Sequence, residues 1–212
     1  MGRIIIERKR KMNPTVNIFP TPVWRIKIND YETINKVLLE KFNQMMEIDK
    51  RDPKKKWNSE RSLQNRDFML PLNKEIGRLA ALVFKEIGVL HKGFSITGAW
   101  ANVHPPRQKH HPHSHPNNYL ACSYYVKVPE GANTISFLDP RPQVGLIRPP
   151  LAKATEYNSE KVDLIIEEGD ACFFPCWLRH SVNENKSQED RTSIAFNLMF
   201  TDYVNKMSRP MW

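Results

Sequence analysis

Four of the chain's 7 histidines, His110, His111, His113 and His115, crowd into the single stretch KHHPHSHPNNYLACSYYV. Neutral imidazole is the commonest protein ligand for a transition metal, so a cluster this dense points to a metal site. The stretch runs into a segment built like a β-strand, where alternate side chains share a face. His113 and His115 then aim at one ion while Ser114 faces away. The one histidine beyond the cluster, His180, follows a second strand-like run, ACFFPCWL, and supplies a third ligand from a distant part of the chain. Such a trio leaves half of an octahedral ion open to small molecules. The alternative is a surface loop with incidental histidines. His110 and His111 precede Pro112 and are read as loop residues, either at the rim of the site or touching its ligands.

Two further groups could serve the same site. Arg191 opens the strand-like run TSIAFNLMF, and Ser193, two residues on, shares its face. A guanidinium beside a hydroxyl makes a socket for a carboxylate, because arginine presents a rigid fork of donors. An exposed arginine after the acidic turn SQED is the other reading, and on these residues alone the two stand level. Tyr125 shares a face with the small residues Ser123 and Ala121, whereas Tyr124 lies with Cys122 and Val126. If the small face looks inward, Tyr125 is a phenol able to donate to a buried acid; core packing is the alternative.

The elements that must position these groups follow from pattern. NIFPTPVWRIKI reads as extended, since Pro20 and Pro22 exclude helix. Asp30 then caps a helix through YETINKVLLEKFNQMM, with Ile34, Val37, Leu38 and Phe42 at helical spacing. A second amphipathic helix spans NKEIGRLAALVFKEIG, with Ile76, Leu79, Ala80, Val83 and Phe84 on one face and Gly88 as its stop. From Gly93 the pattern changes to short strands: FSITGAWANV, YLACSYYVKV, NTISFL, KVDLIIE, DACFFPCW and TSIAFNLMF, with room for more in RPQVGLIRPP. Many short strands at this spacing predict a barrel or sandwich, with the helices covering one outer sheet.

Composition sets the bounds. A chain of 212 residues with 40% hydrophobic content supports one sizeable core better than two. The expected layout is a basic leader over 1–16 and one domain over 17–212, with helical support at 30–90 and the β core at 93–205. Within the leader, residues 1–11 read as a start-site extension or a disordered arm, because Met12 follows them. The net charge of +9 favours acidic partners. Much of that charge, however, lies in RIIIERKRK and DKRDPKKK, which read as solvated loops, and no nucleic-acid motif accompanies it. A nucleic-acid partner is therefore neither indicated nor excluded. Cys122, Cys172 and Cys176 form an odd set with no paired framework, which suits buried thiols in a reducing compartment. No apolar run approaches the ~20 residues of a membrane span, and the expected location is cytoplasmic.

The blocks IFPTPVW, Trp100-x-Asn102, HSHPNNYLACSYYVKVP, FLDPR, GDACFFPCWLRHSV and RTSIAFN occur in this order along the chain. Together they resemble the iron(II)- and 2-oxoglutarate-dependent oxygenases, most closely a subfamily of marine bacteria and their phages. The resemblance covers nearly everything from Asn17 onward. It implies a double-stranded β-helix (jelly-roll) core of about eight strands with two supporting α-helices. It further implies Fe(II) bound by His113 and His180, Arg191 with Ser193 and Tyr125 at the far carboxylate of 2-oxoglutarate, and Asn102 near the cosubstrate. His115 departs from the family, standing where most members carry a carboxylate; it either ligates or lies close by.

The activity implied is hydroxylation of an unactivated C–H bond with 2-oxoglutarate and O2 as cosubstrates. A polypeptide or anionic substrate would suit Arg107, Lys109 and Arg148. Two rivals are a three-histidine cupin-type dioxygenase that needs no keto acid, and a non-catalytic metal-binding barrel. Retention of both His180 and Arg191 argues against the second.

Overall fold

The computed structural model describes residues 17–141 and 146–204. The basic leader and residues 142–145 of the Pro-rich stretch lie outside the described residues, and 146–150 forms no strand. β1 (Trp24–Lys27) follows the proline-containing segment and leads into α1 (Tyr31–Ile48). β2 (Trp57–Asn58) is a two-residue edge, and α2 (Leu70–Glu86) follows it. The remaining strands are β3 (Phe94–His104), β4 (His110–His113), β5 (Leu120–Lys127), β6 (Thr134–Leu138), β7 (Lys161–Ile165), β8 (Asp170–Pro175), β9 (His180–Val182) and β10 (Arg191–Phe200). A short α3 (Thr201–Val204) closes the series.

The strands form one sheet ordered β1-β8-β5-β10-β3-β2 and another ordered β4-β9-β6-β7, every pairing antiparallel. This is the jelly-roll predicted. In the larger sheet each face has its own job, because successive side chains alternate. Leu120, Cys122, Tyr124 and Val126 of β5, with Ile194, Phe196 and Leu198 of β10, join Leu38 and Phe42 of α1 and Ile76, Val83 and Phe84 of α2 in one core. Ala121, Tyr125, Cys172 and Phe174 point the other way and pack against Ile135 and Phe137 of β6. The small-residue face of β5 does look inward, and Tyr125 with it. All three cysteines are free and buried.

Some expectations at helix ends need correction. Val37 is exposed, and Asn35 takes its place in the buried stripe with Leu38 and Phe42. Asp30 makes no side-chain cap bond; its φ of 53° is left-handed, not the extended backbone that aims a capping oxygen at the first turn. α2 starts at Leu70 rather than Asn73, with Pro71 in the first turn, where a missing N–H costs nothing. Gly88 does stop it: at φ 70° it lets the Val89 N–H reach back to the Phe84 carbonyl at 3.0 Å. No helix among the described residues is long and apolar enough to cross a membrane.

Asn35 owes its burial to a link between layers. The Tyr124 hydroxyl donates to Asn35 Oδ1 at 2.7 Å, and Asn35 Nδ2 donates to the Val126 carbonyl at 2.9 Å. Asn35→Ala leaves both β5 groups buried without a partner and should cost about 1–3 kcal/mol in urea denaturation. The loss should shrink when Tyr124 is already Phe; an undiminished loss would show that the pair is not coupled.

Candidate metal and carboxylate site

The cavity between the two sheets is lined by Trp100, Asn102 and His104 of β3, His110 and His113 of β4, and His115 beyond it. Ser123 and Tyr125 of β5, His180 of β9, and Arg191 and Ser193 of β10 complete its polar wall. No carboxylate is among the lining residues. Every predicted site residue is therefore brought to one place.

β4 and β9 pair so that His113 faces His180 across the ladder. His115 lies past the end of β4, and its backbone N–H is held by the Cys176 carbonyl at 2.9 Å instead of by a strand partner. The expected two-residue alternation along a strand is thus not what aims it. One metal-ligating atom from each of His113, His115 and His180 falls within 4.8 Å of the others. The tautomers follow from the neighbours. His113 Nδ1 lies 2.9 Å from the His111 carbonyl and His180 Nδ1 lies 3.0 Å from the Leu178 carbonyl, and a carbonyl can only accept. Both Nδ1 atoms carry the proton, and both Nε2 atoms keep a free lone pair. His115 Nε2 sits 3.3 Å from His180 Nε2, close to the ~3 Å between adjacent ligands of an ion with bonds of about 2.1 Å. The donor set fits a divalent transition metal.

Burial keeps these rings neutral, as ligation requires. It pushes the His180 pKa down to about 3 and that of His115 down to about 4, in both cases with help from the charge of neighbouring histidines. Phe174 packs 4.5 Å from the His180 ring, and Trp100 lies 5.8 Å from that of His115, with Arg61 over its outer face at 5.0 Å.

Arg191 is 2% exposed. Its Nε and Nη1 are buried with no protein partner among the described residues, and the Tyr125 hydroxyl is in the same condition. The guanidinium lies over the Tyr125 ring at 5.2 Å. Desolvation depresses the arginine pKa and raises that of the tyrosine, so the phenol stays a donor. Ser193 is paired with Asn102 on one side and Tyr125 on the other. Asn102 is partly used already, because its Oδ1 accepts from Asn58 of β2 at 2.6 Å. This end of the cavity presents donors and no acid.

His110 belongs to a strand and not to a loop. Its ring stacks on that of His113, 4.3 Å between centroids, while His111 is exposed. Arg107 and Lys109 are exposed in the turn between β3 and β4. Arg148 is tied to Glu160 at 2.7 Å. Sequence reasoning missed His104 and Asn185. Extending the two-residue period of Trp100 and Asn102 by one step would have found His104. Asn185, 1% exposed, pins this corner: its Nδ2 donates to the His104 carbonyl at 2.9 Å and the Glu189 carbonyl at 2.7 Å, and its carbonyl accepts from Arg107 N at 2.7 Å. It thereby ties the end of β3 to the loop that delivers Arg191.

Residues 98–197, the stretch from β3 to β10, match the family described as "Putative 2OG-Fe(II) oxygenase". No curated protein sequence matches the chain. Among solved structures, HygX from Streptomyces hygroscopicus with nickel and 2-oxoglutarate bound is similar at a TM-score of 0.62 and 12% identity, over 85% of this chain and 83% of that one. The non-heme alpha ketoglutarate dependent epimerase SnoN from nogalamycin biosynthesis scores 0.61 at 16% identity, covering 85% and 77% of the two chains. The carbocyclase SnoK from the same biosynthesis scores 0.60 at 15%, covering 89% and 87%. Likeness at these identities shows a shared fold.

The depressed imidazoles make the metal-free protein acid-sensitive. His104, His115 and His180 have folded values of about 3 to 4 against an ordinary 6.5, so between these limits the unfolded chain binds more protons. Their contribution is complete above pH 6.5 and is lost as the pH falls below it. The thermal midpoint of chelator-treated protein should drop between pH 6.5 and 5, before most carboxylates titrate. A flat midpoint across that window would show that these rings are not held neutral.

Proposed function

With residues 98–197 belonging to the 2-oxoglutarate- and Fe(II)-dependent oxygenases, we propose that His113, His115 and His180 hold the iron and that Arg191 grips the cosubstrate. The chain is an oxidoreductase that uses both groups. When bound, Fe(II) with 2-oxoglutarate and O2 supplies oxidising power, the keto acid leaving as succinate and CO2, and in our reading the product is a hydroxylated C–H. Organic and redox chemistry of this kind belongs to the cofactor, and the protein's part is binding, orientation and exclusion of water.

The observation that carries the reading is Arg191, a buried cation whose free donors face a cavity with no acid in it. A dicarboxylic keto acid fits: one end meets the histidine cluster, and the other offers Arg191 the anion it lacks. Tyr125 donates its hydroxyl to that same carboxylate, with Ser193 beside it, while Asn102 flanks the cosubstrate. Phe137 and Phe174 pack around His180 and keep water from its side. The site carries three imidazoles and no carboxylate, which leaves it one unit more positive than a site with an acidic third ligand.

The substrate class we propose is an anionic molecule, a polypeptide in particular, drawn by Arg107 and Lys109 at the exposed turn beside the cavity. The setting we propose is cytoplasmic, and the host cytoplasm if a phage encodes the chain.

His113→Ala and His180→Ala should each lower Mn(II) affinity at least tenfold, since even groups behind the ligands contribute ~10–100-fold. Unchanged metal content in both would remove the site. His115→Ala should weaken binding in the same way; native iron occupancy in that variant would reduce the set to two histidines.

Arg191→Ala should raise the 2-oxoglutarate dissociation constant of the Mn(II) protein under anaerobic conditions by at least tenfold, because hydrogen bonds to charged groups contribute about 1.5–3 kcal/mol. Affinity for pyruvate, which has no far carboxylate, should barely change. Wild-type protein that does not prefer 2-oxoglutarate to pyruvate would overturn the clamp.

A further inference from the structure

Eight buried side-chain nitrogen and oxygen atoms lack a hydrogen-bond partner among the described residues, and four of them belong to residues lining the one cavity. Three are Arg191 Nε, Arg191 Nη1 and the Tyr125 hydroxyl, already assigned. The fourth is His104 Nδ1. Buried polar atoms are seldom left unpaired, and each one left so carries a desolvation cost, so four that line one cavity mark where a ligand's acceptors belong.

Position singles out His104. It is 3% exposed and stands directly opposite Arg191 in the β3–β10 ladder, on the side of β10 away from Tyr125. His110 lies between it and the metal end: the His110 ring is 4.3 Å from that of His113 and 5.8 Å from that of His104. Neutral imidazoles therefore line the way from the histidine cluster to the arginine. The backbone of His104 is fixed by Asn185, which also fixes the loop entering Arg191, so the two side chains are held in one frame.

We infer that His104 is a second grip on the far carboxylate of the keto acid, donating a ring N–H from β3 while Arg191 and Tyr125 donate from β10 and β5. The inference rests on the cosubstrate site proposed above and adds to it a residue on the opposite side of Arg191 from Tyr125. A carboxylate has about four lone-pair sites, and in a cavity of low dielectric each must be met. Arg191 and Tyr125 approach from two neighbouring strands of the sheet, and His104 closes the third. Burial and the adjacent guanidinium hold its pKa down to about 3, so before the anion arrives it adds no second positive charge beside Arg191.

The test is calorimetric binding to Mn(II)-loaded protein without oxygen. His104→Phe keeps the ring's bulk and removes its N–H, whereas His104→Asn keeps a donor near the Nδ1 position. His104→Phe should weaken 2-oxoglutarate roughly tenfold while leaving pyruvate and Mn(II) affinities as they were, and His104→Asn should recover most of the loss. His104→Leu carries the same expectation as Phe, so one folded donor-less variant suffices.

Wild-type affinity for 2-oxoglutarate in such a variant overturns the assignment, as does an equal loss for pyruvate, which would mean a distorted pocket. Arg191→Ala, measured alongside, separates the two levels. If it weakens 2-oxoglutarate and His104→Phe does not, this inference alone fails; if neither does, the clamp itself is gone.

Discussion

A charge taken out of water sets the terms for this fold. The Arg191 side chain is among the largest fully buried side chains of the protein. Removing the partner of a buried charge costs about 3–5 kcal/mol, and among the described residues no acid lines the cavity. The Tyr125 ring beneath the guanidinium returns part of this, a cation–π contact contributing about 0.5–2 kcal/mol. The rest of the scaffold prevents escape: β10 is laddered on both sides, to β3 and to β5, and the loop before it is pinned by Asn185. Any anion that binds this arginine is therefore coupled to folding stability by mass action.

The same frame explains what could be read from the chain alone. β3, β5, β8 and β10 are central strands whose alternate residues are selected for burial, and their pattern is plain. The chemistry-bearing residues were legible by type: a histidine cluster, a distant histidine and an Arg-x-Ser are scarce enough to stand out. β4 and β9 were not legible. HHPH and HSV carry histidines where an apolar alternation would be, so the residues that make these strands useful erase the signal that would identify them. Val37 misled because helical spacing names a stripe without saying which flank is covered, and Asn35 was displaced into the core by a hydrogen-bond partner on another element. His104 belonged to a period already noticed and was lost by stopping one step early.

Antiparallel pairing also settles why the histidines meet at all. Residues 113 and 180 are far apart in sequence, yet β4 and β9 place them as direct partners, and the short turn after β8 needs only to return the chain to that register. The backbone carbonyls of His111 and Leu178 then do for the rings what a side-chain carboxylate does elsewhere, fixing the tautomer through groups that no point substitution can delete.

The two faces of the larger sheet have a consequence for how such a protein can change. On β5 the even-numbered residues meet the helices while Ser123 and Tyr125 meet the cavity, and from Ala99 to His104 of β3 the roles are reversed. Heritable variation is thereby sorted by parity. A lineage, or a laboratory library, can draw new residues at the inward positions and alter what the cavity accepts while the outward set continues to specify the scaffold. What the cavity accepts is written on one side of these strands and the helix-packed core on the other, so the first can be edited with the second left in place.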